Sequence, residues 1–154
     1  MDEKELKEKI QEVLEEVSVW SGAQNMTLQE IATIQPSLGR IMPEIGNRTW
    51  KLYYAAEKEN WVFARFQWKE ISELMDLAAY TRPKYEADLE TFKKDDWAPI
   101  GKAIENKDFE AFKTAFEHAV SQANAYHEKQ DKPYIRWQLP SMPPPDVDLT
   151  PRGE

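Results

Sequence analysis

The chain has 154 residues, 41% hydrophobic and 31% charged, and its 20 basic and 28 acidic side chains give a formal net charge of -8. That length suits one domain with one core, and the negative balance repels phosphate backbones and anionic lipid headgroups, which argues against nucleic acid as a partner. The absence of cysteine excludes disulfides, thiolate metal sites, Fe–S clusters and thiol nucleophiles together.

Along the chain, Leu6, Ile10, Val13, Leu14, Val17 and Trp20 keep helical spacing, which predicts a helix over residues 3 to 20 with a narrow apolar stripe among Glu and Lys. Such a stripe suits a coiled-coil seam or an edge helix, so a homodimer through this amphipathic helix is expected. The start, Met1 to Glu5, is too charged for the apolar core of a signal peptide. Ser21 to Asn25 breaks the pattern, and Thr27-Leu28-Gln29-Glu30 has the reciprocal capping arrangement that opens a short helix before Pro36. From Pro36 to about Glu59, Leu38, Ile41, Ile45, Leu52 and Ala56 continue the helical spacing, with a kink expected at Pro43. Asn60 caps the next helix, where Trp61, Ala64, Trp68, Ile71, Met75 and Ala78 form one apolar stripe and Phe63, Phe66, Leu74 and Leu77 a second, up to Thr81-Arg82-Pro83.

A further helix is expected from Lys84 through Leu89 and Phe92 to Asn106, interrupted near Pro99. Asp108 then caps a last one that carries Phe109, Phe112, Phe116, Ala119, Ala123, Tyr126 and His127 on one side and ends near Gln130. The stretch Tyr134 to Pro140 is too aromatic for a free linker and should lie on the helices, ahead of the stiff run Pro143-Pro144-Pro145. No run approaches the roughly 20 apolar residues of a membrane span, and no alternation is long enough to build a sheet. The expected fold is all-α: an antiparallel four-helix bundle over residues 25–140, an additional N-terminal helix in 1–24 and an extended proline-rich C-terminal tail in 141–154.

The run Phe112-Lys113-Thr114-Ala115-Phe116 through Ala123-Asn124-Ala125-Tyr126-His127, with Tyr134-Ile135-Arg136 and the proline-rich tail after it, resembles small bacterial c-type cytochromes built as four-helix bundles, of the cytochrome c′ kind. Ile34-Gln35-Pro36-Ser37-Leu38-Gly39, Ile41-Met42 and Asn60-Trp61 look similar too, so the resemblance covers roughly Ile34 to Pro140. In that family the last helix carries Cys-x-x-Cys-His, but here Ala123 and Tyr126 replace both cysteines and only His127 remains, at the axial-ligand position. The resemblance therefore implies a bundle without covalent haem. It also implies a periplasmic protein whose signal peptide is absent from this sequence, because c-type attachment takes place outside the cytoplasm.

Two functional readings stay open. The first is a non-enzymatic binding or interaction module that has lost its cofactor and keeps the scaffold, with another protein or a small apolar ligand as partner. The second is an electron-transfer or gas-sensing protein that binds haem non-covalently through His127. Trp61, Trp68, Phe116, Ala123 and Tyr126, with His127, are expected to line any flat cavity left between the rings; a filled aromatic core is the plainer expectation, as is a His127 that serves only the end of its helix. His118 lies nine residues before His127 and faces elsewhere, so no local metal clamp forms and no metal is expected. No Gly-rich phosphate loop or nucleophile elbow marks an enzyme, and Glu117 and His118 diverge from their helix.

Overall fold

The computed structural model describes residues 2–152, which belong to two compact units, Met1–Pro36 and Ser37–Glu154. The chain is mainly helical, with one small two-stranded sheet.

In the first unit, Asp2 caps helix α1 (Glu3–Glu16) by accepting from the Glu5 amide at 2.8 Å. The helix stops at Glu16 rather than running on to Trp20, a correction to the sequence reading. Ser18–Trp20 is strand β1 and pairs antiparallel with β2 (Asn25–Thr27), Val19 opposite Met26. β-branched Val17 and Val19 with Trp20 favour extended backbone, and Gly22 takes the left-handed φ of 94° that the connecting turn needs. Thr27 and Glu30 close the expected capping box at the start of α2 (Leu28–Thr33). No side chain of α1 or α2 is buried.

The second unit contains α3 (Leu38–Glu57), α4 (Trp61–Thr81), α5 (Glu86–Phe92), α6 (Ala98–Glu105) and α7 (Phe109–Lys129). α3 continues through Pro43 as one helix. Asn60 caps α4 through the Phe63 amide at 3.1 Å, and Asp108 caps α7 through the Ala111 amide at 3.0 Å. The turns before them are tight because Glu59 and Lys107 adopt left-handed φ of 56° and 52°, and Asp131 repeats this with 58° after α7. At each, the next amide bonds a carbonyl five residues back (Asn60 to Ala55, Asp108 to Ala103, Lys132 to His127), so helix ends are closed by non-glycine residues.

The interruption expected near Pro99 is a wide, π-helical turn over Lys93–Trp97, which lets Pro99 sit in the first turn of α6, where its missing N–H costs nothing. The extra residue turns Asp96 and Trp97 inward. α3 packs on α4, α4 on α5 and α6, α6 on α7, and α7 on α3. Their shared core holds Leu52, Ala55, Ala64, Ile71, Met75, Ile100, Ile104, Phe112 and Phe116, joined by Leu149 from the C-terminal segment. On α4 the buried line passes through Gln67, whose carbonyl accepts from Arg48 at 3.1 Å, while Trp68 is only half-buried. The second apolar face expected there is incompletely covered: Phe66 and Leu77 are exposed.

Candidate functional site

His127 and Asn124 lie one turn apart near the end of α7, on the side that faces the returning chain. Residues 134–140 cross them without regular secondary structure. Asn124 meets the main chain of Trp137 twice: its Nδ2 donates to the Trp137 carbonyl and its Oδ1 accepts from the Trp137 amide, each at 2.9 Å. A side-chain amide used this way imitates the neighbouring strand of a sheet. His127 Nδ1 lies 3.0 Å from the Ile135 carbonyl, two residues earlier and so on the same side of an extended chain. A carbonyl only accepts, so Nδ1 carries the hydrogen and Nε2 keeps its lone pair. Burial holds the His127 pKa below the ordinary imidazole value, against the Ile135 carbonyl, which favours the charged ring. The imidazole is thus a neutral anchor for the segment.

The same segment continues across α3 and the start of α4. Tyr54 Oη donates to the Pro140 carbonyl at 2.8 Å and Trp50 Nε1 to the Met142 carbonyl at 2.7 Å; the two aromatic donors are one turn apart on α3. Lys51 Nζ bonds Asp146 at 2.7 Å, and Asn60 Nδ2 donates to the Leu149 carbonyl at 3.2 Å while its Oδ1 caps α4. The stretch has no regular secondary structure to pair its carbonyls, and the protein supplies the donors from side chains; Pro140 is the one acceptor among these that lacks an N–H of its own. Trp137 anchors it sterically: its indole lies so close to α3 that a Cβ added at Gly46 would be 3.0 Å from Nε1, and its ring stands edge-on to Phe116 with centroids 6.2 Å apart.

The ring residues expected to line a cavity divide into separate clusters. Phe116 is 2% exposed and packs with Tyr53, Phe112 and Trp137 at centroid separations of 5.0 to 6.2 Å. Trp68 donates from Nε1 to the Trp97 carbonyl at 3.2 Å and presses on Gly101; Trp97 in turn donates to Ser72 Oγ at 3.0 Å. Trp97 stacks on Phe92 at 6.3 Å, and Phe92 meets Tyr126 edge-on at 6.2 Å, so two rings stand between Trp68 and Tyr126. Trp61 is half-buried at the start of α4 and Ala123 half-buried on α7. Two open concavities among the described residues lie elsewhere. One is an open hollow bounded by Lys58 and residues of the 143–151 stretch, the other lies among Asp76, Glu90, Lys93 and Lys94.

His118 has a different use. Its Nε2 lies 3.0 Å from Oδ1 of Asp96, the carboxylate that the π-helical turn carries inward. Burial, then Asp96 and Asp88, raises the pKa of the Tyr126 phenol nearby, whereas Asp88 itself is held below the usual carboxylate value, chiefly by Lys129. Among the described residues no group of three or more His, Asp or Glu is placed to hold a metal ion.

Sequence reasoning did not find Trp50, Tyr54 or Asn124 as anchors, and took Asn60 only as a cap. A local signal existed for Asn124 and His127, two polar side chains one turn apart within an apolar stripe. None existed for Trp50 and Tyr54, whose partners lie 92 and 86 residues away. No protein-family model matches this chain, and neither a curated protein nor a solved structure matches it.

Proposed function

We propose that this chain is a haem-free four-helix bundle of the cytochrome c′ kind that acts, without enzymatic activity, as a binding or interaction module. One contrast carries the reading: the position beside His127 is taken up by the chain's own rings and C-terminal segment, while the apolar stripe of α1 is left in the open. The helix neighbours α3–α4–α5/α6–α7 support the bundle arrangement, with the proline-rich tail as its covering strand.

Haem itself was the other candidate occupant. The donor suits iron, because an Nδ1–H bonded to a carbonyl leaves Nε2 as a ligand, and this is the observation that favours non-covalent haem at His127. The ring contacts next to it weigh against the macrocycle. Tyr126 stands against Phe92, Phe92 against Trp97, and neither concavity reaches the imidazole, whereas a ligand site takes a pocket of roughly 300–1,000 Å³. Titration of the purified chain with haemin, followed at the Soret band for the natural sequence and for His127→Ala, separates the two readings. The expected result is no histidine-dependent band; a stoichiometric shift that His127→Ala removes would establish the haem-binding reading instead. Export to the periplasm is proposed on the resemblance alone.

A further inference from the structure

α1 has 14 residues and no buried side chain: Leu6, Ile10, Val13 and Leu14, with Val17 at its C-cap, are all 40% exposed or more. A helix of that length is marginal in water without a partner that covers its stripe. Its apolar positions advance by four and three residues, with Leu6 and Val13 at one core position of a heptad, Ile10 and the C-cap residue Val17, whose amide still bonds the Val13 carbonyl, at the other, and Lys9 and Glu16 flanking them. Charge is not spread evenly along it. All three lysines lie in the first half, each within 4 Å of a glutamate one turn away (Lys4–Glu8, Lys7–Glu3, Lys9–Glu5), while the second half carries Glu12, Glu15 and Glu16 and no base. Glu12 and Glu16 have no cation partner among the described residues.

We propose that α1 pairs antiparallel with α1 of a second copy of this chain, Leu6 packing against the partner's Val17 and Ile10 against the partner's Val13. This rests on the interaction-module reading and names the partner. In that register the two-fold axis repeats each layer, so four apolar layers close the stripe. Lys9 faces the partner's Glu16, twice over, and the alkyl stem of Lys7 lies across the partner's Leu14. A parallel pair would set the two acidic halves side by side and leave Lys9 opposite leucine. The uneven charge therefore selects orientation, as flanking charges do in paired helices.

The cysteine-free sequence makes the test direct. Leu6→Cys and Val17→Cys chains are prepared separately, mixed, and oxidised mildly at concentrations where sedimentation of the unaltered chain is measured. The pairing predicts a concentration-dependent dimer and a disulfide that joins a Leu6→Cys chain to a Val17→Cys chain. In a second arm, Lys9→Glu or Glu16→Lys alone should weaken dimerisation about tenfold at low salt, two ion pairs having become two repulsions. The double variant should restore it. These positions are exposed, so folding is not at stake. Disulfides between two Leu6→Cys chains overturn the antiparallel register. A monomer at every concentration overturns the pairing altogether, including the case in which α1 is covered by its own chain, and leaves the haem-free reading to stand on the haemin titration.

Discussion

Replacing Asn124 by alanine removes both hydrogen bonds to Trp137 and nothing else from that strand of the chain. Each is a neutral bond of good length, worth about 1 kcal/mol net, so the segment should lose about 2 kcal/mol of docking energy. The loss stays near that figure because neighbouring Ile135, Arg136 and Gln138 are exposed and water can reach the freed groups. The effect should be local. Hydrogen exchange at the Trp137 amide, whose acceptor is Asn124 Oδ1, should speed up about 30-fold, while exchange in the middle of α4 changes far less. Asn124→Asp is a sharper version: it keeps the acceptor for the Trp137 amide but turns a carboxylate toward the Trp137 carbonyl. At neutral pH it should be at least as damaging as alanine, and it should recover in acid as a protonated carboxyl regains a donor. If Trp137 exchanges at the same rate in all three proteins, the double bond of Asn124 does not hold the segment.

Three further substitutions test other parts of the structure. Gly101→Ala should destabilise: a Cβ there would lie 2.5 Å from Cζ2 of the Trp68 ring, and overpacking of about 1–3 kcal/mol outweighs the roughly 1 kcal/mol alanine gains in a helix. A thermal midpoint at or above that of the parent protein would show that the indole moves aside. Glu59→Gly should stabilise by about 0.5–1 kcal/mol in urea unfolding, because Glu59 holds a left-handed φ that costs a side-chain-bearing residue and not glycine; a loss of stability would mean that the glutamate side chain contributes more than the strain. For His127 the folded pKa lies below the unfolded value near 6.5, so in that window the unfolded chain binds more protons. Its contribution is complete above about 6.5 and is lost as pH falls through the lowered folded value. Stability measured from pH 7 downward should therefore fall more steeply for the natural chain than for His127→Gln, and equal slopes would remove His127 as the cause.

What could be read from the sequence was local. Thr27, Asn60 and Asp108 announced their helices because an N-cap bonds an amide three residues on, within reach of a pattern search. The helical character of the chain followed from the same short-range spacing. The spacing runs past the true end of α1 because Trp20 continues the steps of three and four beyond the C-cap Val17 by coincidence, while the hairpin that claims β1 depends on β2. The wide turn over Lys93–Trp97 showed only as an interruption, since one extra residue per turn leaves no mark in composition. Gln67 is a core position that hydrophobic spacing hides, because a polar residue 100° from Trp68 reads as solvent-facing until Arg48 is seen to satisfy it. At the candidate site His127 was visible on its helix face, but its use was not. That depends on the path of residues 134–140, which no periodicity encodes.

The C-terminal segment also bears on the order of events in folding. Its ties to α3 and to the start of α4 join residues 86 to 95 apart in sequence, whereas the helices they fasten form from neighbours a few residues away. Contacts of such separation require the longest loops to close first, so they belong late in assembly, after α3, α4 and α7 have come together. During synthesis the stretch also leaves the ribosome after every helix it crosses. Interactions made after the rate-limiting step act on escape from the native state, so removing the donors of Trp50, Tyr54 or Asn60 is expected to speed unfolding more than it slows folding.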